Sequence, residues 1–190
     1  VVNKSSDVLR VAVIGAGVMG RNHLRLYDLI KGVELIGVVD TSRERADEAA
    51  ARHGCESFVS VEKLVGRVDA VSVATPSINH AETGTFLLEN GVHCLIEKPL
   101  AVTEADCLRL IDAAERNGVV LLVGHVEHFN PAIRQLLEMF SDKQKIYAID
   151  ARRMSSASAR IKDVDVVMDL MVHDLDIVLA LLGTTVTDLS

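Results

Sequence analysis

A chain of 190 residues that is 49% hydrophobic has ample material for a packed core, which excludes a disordered chain. Its formal net charge of −7 argues against a general binder of nucleic-acid backbones, which needs a basic surface. With 3% aromatic residues and no Trp, it also lacks stacking platforms for single strands.

The elements are expected in a regular alternation. Residues 9–17, "LRVAVIGAG", read as an apolar strand ending in glycines, and 18–30 as a helix. A second strand is expected over 33–40, a helix over 43–54, a short strand at 57–60 and a small helix at 61–66. Strand, helix and strand follow at 68–76, 79–91 and 92–99. The helix expected over 103–118 has clear ends: Thr103 can cap it, acids fill its first turn, and Gly118 follows. A last strand begins at 119. Near-continuous apolar strands separated by helices imply a parallel sheet covered on both faces. The expected fold class is therefore α/β, a doubly wound parallel-sheet domain over residues 1–125.

The pattern then changes. Residues 130–140 read as a helix with Asn130 at the cap and Pro131 in the first turn. Residues 145–154 alternate like a strand, with Ile146, Ala148 and Ala151 on one side, and 155–163 form a polar loop. A final helix is expected over 164–182. One strand, one loop and one helix do not complete a domain, so residues 126–190 are expected to be only the beginning of a second one.

The three cysteines, Cys55, Cys94 and Cys107, are unpaired by spacing. Core thiols in a reducing cytoplasm are expected, with neither a disulfide framework nor a zinc site. No run approaches the ~18 apolar residues of a membrane span, and no secretory signal is read at the start, which opens on Val.

"GAGVMG" lies between strand and helix, as a dinucleotide fingerprint requires. Gly15 permits the tight turn, Gly17 lets a pyrophosphate approach the backbone, and Gly20 lets the helix pack close to the strand. Val18 and Met19 open the helix whose N-terminus would face the phosphates. Asp40, about 20 residues further on, ends the second strand, where it can accept both ribose hydroxyls. It would repel a 2′-phosphate, so NAD is favoured over NADP. Arg43 and Arg45 either hold such a phosphate or line a solvated helix face.

Two more strand ends carry candidates. In "ATPSINHAE", Thr75 and Pro76 would shape a loop beside the cofactor and Asn79 would cap the next helix. His80 is either a surface residue of the first turn or a cofactor contact. In "EKPL", Glu97 and Lys98 follow a buried strand, placing Lys98 where nicotinamide and substrate should meet. Without that context they would read as a surface ion pair worth little.

The final helix poses a question of charge. At about 100° per residue, Asp165, Asp169, His173 and Asp176 fall in one narrow stripe on an otherwise apolar wheel. Burying unpaired charge is costly, so the stripe is either one wall of a site or a solvent face. Asp169 and His173 are four apart and share a face, where a carboxylate can orient an imidazole. Asp174 lies off the stripe.

The fingerprint, "ATPSINH", "EKPL", "GHVEHFNPA" and "DLMVHDLD" occur in the order seen in the Gfo/Idh/MocA oxidoreductases, and the chain resembles that family over nearly its whole length. The resemblance implies a Rossmann domain followed by an α/β domain with an open sheet, and a nicotinamide cofactor used on a secondary alcohol of a sugar. It implies that Lys98, Asp169 and His173 are the catalytic set, with Asp169 or His173 as base. It also implies a homo-oligomer for a full-length protein. "GHVEHFNPA" and the final helix look most like the branch acting at the 3-hydroxyl of UDP-N-acetylglucosamine, whose 3-oxo product an aminotransferase can aminate for lipid A. Where that branch commonly has arginine, this chain has His128. A cofactor-binding sensor or corepressor that kept the fold and lost the chemistry is the alternative. No metal is expected at His125, Glu127 and His128, which lack a supporting ligand at a helical or strand spacing. Arg152, Arg153, Arg160 and Lys162 either meet a nucleotide-sugar diphosphate or form an ordinary solvated loop.

Overall fold

Period-2 alternation in the apolar runs sends successive side chains to opposite faces of a sheet, and the computed structural model, which describes residues 8–140, 146–154, 165–183 and 186–188, shows where each face goes. Among the described residues there are six strands: β1 (Leu9–Ile14), β2 (Val33–Val39), β3 (Glu56–Phe58), β4 (Ala70–Val73), β5 (His93–Ile96) and β6 (Leu121–Val123). They pair in parallel in the order β3-β2-β1-β4-β5-β6. Four helices connect them: α1 (Val18–Tyr27), α2 (Arg43–His53), α3 (His80–Glu89) and α4 (Glu104–Asn117). The α/β doubly wound class expected from sequence is the class observed.

Ala12 and Ile14 enter one buried cluster with Leu87 and Leu88 of α3 and Leu110 and Ala113 of α4. Val13, between them in sequence, enters the other with Leu24 of α1 and Ala49 and Ala50 of α2. Both clusters are built from residues before Gly124. The strand order reverses between β1 and β4, and such a switch point opens a crevice at the strands' carboxyl ends. Hydrogen bonds fix which residues stand at that edge. Gly15 N–H donates to Val39 O (2.7 Å), Ala74 N–H to Ile14 O (2.8 Å), Glu97 N–H to Val73 O (3.0 Å) and Gly124 N–H to Ile96 O (2.8 Å).

The chain divides into two units, Val1–Gly124 and His125–Ser190. In the second, Asn130 accepts from the Ala132 N–H (3.1 Å) and Pro131 opens α5 (Pro131–Met139), as expected. A wide π turn (Val167–Met171) leads into α6 (Val172–Leu182), which contacts α5. Residues 146–154 are irregular, where the alternation predicted a strand. A strand persists only when its N–H and C=O groups pair with a neighbour, and among the described residues this unit contains no strand to pair with. The polar loop at 155–163, with Arg160 and Lys162, lies outside the described residues. Among the described residues no helix is long and apolar enough to cross a membrane.

Candidate cofactor and catalytic site

The turn after β1 is shaped by what cannot fit there. Gly15 has φ +97°, and a Cβ on it would stand 2.5 Å from Ala74 O; a Cβ on Gly20 would stand 1.7 Å from Gly15 O. Glycine is required at both so that α1 can approach the sheet. Gly17 differs, because a Cβ there would meet nothing within 4 Å. It opens α1 without a side-chain cap, and the first N–H groups of a helix have no partner within the helix. Val18 and Met19 stand exposed beside it. Open space, uncapped N–H groups and a helix dipole together suit an anionic group such as a pyrophosphate.

Asp40 lies beyond the end of β2 and is buried. Its Oδ2 accepts from the Ala16 N–H (2.8 Å), and its Oδ1 from the Ser42 N–H (2.7 Å) and Arg45 Nη2 (2.7 Å). Burial by itself pushes this carboxyl up, but Arg45 and the two N–H groups outweigh it and hold it below the usual aspartate range. The two arginines left open by sequence thus separate. Arg45 sits on Asp40, whereas Arg43 pairs with Asp47 one turn along α2 (3.0 Å).

At the ends of β4 and β5, Pro76 is exposed and Thr75 is half-buried with its Oγ1 enclosed and without a protein hydrogen-bond partner. His80 is 1% exposed, which rules out the surface reading. Its Nδ1 lies 2.9 Å from Pro99 O and its Nε2 3.0 Å from Thr75 O, so the ring ties the loop after β4 to the loop after β5. Both ring nitrogens face backbone carbonyls, so the ring supports those loops. Asn79 makes no side-chain cap; a 3-10 turn (Ser77–Asn79) runs straight into α3.

Glu97 is buried and faces inward, to His23 on α1, with Nε2 and Oε1 2.8 Å apart. Lys98 is half-buried and precedes a cis peptide bond to Pro99. His23 was missed by motif reading, as were Ser72 and Tyr27, which join the same chain of contacts. The available signals were weak: a serine within the apolar run of β4 and a histidine three residues after Gly20. The first unit therefore brings Gly15, Asp40, Thr75, Pro76, Glu97 and Lys98 to strand ends at one edge of the sheet, with Gly17 and Gly20 at the start of α1.

In the second unit the charged stripe resolves into separate tasks. Asp165 caps the π turn, its Oδ1 accepting from the Met168 N–H (2.9 Å). Asp176 faces His128 (2.8 Å) and His125 (3.6 Å). Asp174, which the wheel left unexplained, pairs with Arg153 (3.0 Å), and Arg153 also reaches Glu127 (3.2 Å). Asn130, first, and then Arg153 and His173 hold the Glu127 carboxyl low against the opposing effect of burial. Asp169 lies in the π turn and His173 in the first turn of α6, both half-buried. The π turn bonds i to i+5, so the uniform 100° wheel does not hold across it. The two histidines thus share Asp176 while Glu127 meets Arg153 and Asn130, and among the described residues no group of three or more His, Cys, Asp or Glu is arranged to hold a metal ion.

A family model described as "Oxidoreductase family, NAD-binding Rossmann fold", GFO_IDH_MocA, matches residues 9–125. The chain is 39% identical over 180 residues to the UDP-N-acetylglucosamine 3-dehydrogenase of Acidithiobacillus ferrooxidans, covering 95% of this chain and 56% of that protein. It is 33% identical over 194 residues to inositol 2-dehydrogenase 4 of Saccharopolyspora erythraea, covering 98% and 57%. The P21 crystal form of the A. ferrooxidans enzyme matches with a TM-score of 0.88 over 95% of this chain and 58% of that one, at 39% identity. GenD2 from gentamicin A biosynthesis, in complex with NAD, matches with a TM-score of 0.83 at 25% identity, over 93% and 54%. The chain spans little more than half the length of these relatives.

Proposed function

The chain belongs to the Gfo/Idh/MocA oxidoreductase family, with its NAD-binding Rossmann fold, and from that premise we propose that the whole protein moves a hydride between NAD and a secondary alcohol of a nucleotide sugar, the 3-hydroxyl of UDP-N-acetylglucosamine. The observation that carries this reading is the 39% identity to a UDP-N-acetylglucosamine 3-dehydrogenase across 95% of the chain. Lys98, Asp169 and His173, the residues that match the family's catalytic motifs, are all present.

Gly15, Gly17, Val18, Met19 and Gly20 would hold the pyrophosphate, and Asp40 the adenosine ribose through its remaining acceptor capacity. Thr75 and Pro76 would line the cofactor's path, and the enclosed Thr75 Oγ1 suits a polar ligand atom. Bound NAD supplies the hydride acceptor. The chain's own contribution is acid-base chemistry and orientation. Lys98 and Asp169 hold the alcohol, and His173 takes its proton, as a base near neutrality suits. A cytoplasmic setting, which suits three free cysteines, and a homo-oligomeric full-length protein belong to the same reading.

The test is NADH absorbance on adding UDP-N-acetylglucosamine, other UDP-sugars, inositol or glucose, with NAD, to this chain and to a full-length version. NADH is expected with UDP-N-acetylglucosamine; silence with every UDP-sugar would sink the substrate assignment, and activity on inositol would redirect it. Lys98→Ala or His173→Ala should lower turnover by about 10²–10⁴-fold while NAD still binds. Binding without turnover in every version would instead support a sensor.

A further inference from the structure

Four polar side chains beneath the carboxyl edge of the sheet form one continuous line of contacts. Tyr27 Oη lies 2.7 Å from Ser72 Oγ, Ser72 Oγ 3.2 Å from His23 Nδ1, and His23 Nε2 2.8 Å from Glu97 Oε1. Ser72 is 0% exposed and Glu97 7%. Donor and acceptor chemistry sets a direction along this line. An ionised Glu97 only accepts, so His23 donates from Nε2. A neutral ring with its proton there accepts at Nδ1, so the Ser72 hydroxyl donates to it. Ser72 Oγ in turn accepts from the Tyr27 hydroxyl. Serine, histidine and glutamate in this order resemble a hydrolytic triad, but a hydroxyl sealed within β4 meets no acyl group. What the line does is fix Glu97.

The second oxygen of Glu97 is confined as well. A Cβ on Gly124 would stand 2.9 Å from Oε2, so glycine there leaves that oxygen its room. Glu97 is thereby held from α1 and packed against the end of β6, and Lys98 is the next residue. We propose that His23 is a positioning residue: by locking the Glu97 carboxylate, it fixes the turn that presents the Lys98 ammonium. The proposal rests on the catalytic assignment of Lys98 made above. A reacting group displaced by about 1 Å can lose about 10²-fold in rate, so support of this kind acts on turnover more than on binding.

The experiment has a spectroscopic arm and a kinetic arm. In this chain, ¹⁵N histidine shifts should show a proton on His23 Nε2, the nitrogen that faces Glu97. The Nδ1–H tautomer would overturn the proposal without any variant having to fold. In the full-length protein, His23→Ala should lower kcat by about 10- to 100-fold with KM for the sugar and Kd for NAD within about threefold. His23→Gln, whose amide can donate to Glu97 and accept from Ser72, should recover most of the loss. A kcat unchanged in His23→Ala, or equal losses in the Ala and Gln variants, would overturn it while Lys98→Ala remains inactive. Turnover surviving in Lys98→Ala would instead remove the assignment on which the proposal rests.

Discussion

Gly17 and Gly20, three residues apart, answer to different constraints, and substitution separates them. Gly20→Ala drives a Cβ to within 1.7 Å of Gly15 O and forces backbone apart. A loss of about 3 kcal/mol or more is expected, read as a fall in melting temperature. Gly17→Ala meets open space in the protein alone. Its melting temperature should hold while its Kd for NAD, by calorimetry, rises at least about tenfold, about 1.4 kcal/mol. Asp40 makes a pH prediction of definite sign. Its folded carboxyl sits below the ordinary aspartate value of 3.8, so its stabilisation is fully present above that value and is lost as pH falls through the folded one. Asp40→Asn should therefore melt below the parent at pH 7, and the gap should close as pH drops below 3.8. Melting curves of both proteins across that window check it.

Helix starts tell the same story one level up. Ser42, Thr103 and Asn130 each give a side-chain oxygen to an N–H of the helix they open. Gly17 gives none to α1. The α1 start is the one at the dinucleotide turn, so its N–H groups remain available to an anion. Thr103→Ala should cost about 1 kcal/mol, lowering the melting temperature by about 2–4 °C with NAD affinity unchanged. In the second unit the π turn is the feature that periodicity misread. It carries Asp169 and leads directly to His173. Wide turns of this kind recur at functional sites, which accords with the roles proposed for both residues.

For the molecule as a whole, the division at Gly124 has a physical basis. Both buried clusters draw on residues of the first unit alone, and on both faces of its sheet the helices that cover it are its own. A chain of residues 8–124 should therefore fold cooperatively and bind NAD within about threefold of the 190-residue chain, by circular dichroism melting and calorimetry. Failure of that fragment to melt cooperatively would show that the second unit completes the first. The second unit buries far less: Met171, Leu175, Leu179 and Leu182 each remain more than 40% exposed, and Ile177 is its one buried apolar side chain among the described residues.

Sequence alone determined the features that depend on near neighbours. Near-continuous apolar runs located the six strands, residue chemistry at Thr103, Asn130, Pro131 and Gly118 marked helix ends, and the spacing of Gly15, Gly17, Gly20 and Asp40 named the cofactor turn. Such signals are local because the pleat and the helical turn repeat over a few residues. The tertiary structure decided what each charged group meets. It paired Tyr27 with Ser72 across 45 residues and His23 with Glu97 across 74. It also gave Asp174 to Arg153 and Asp176 to His128, and turned His80 inward onto two loops. Those partners follow from the order in which strands and helices pack. No single segment encodes that order, because a buried polar group is satisfied by whatever the finished fold brings within about 3 Å.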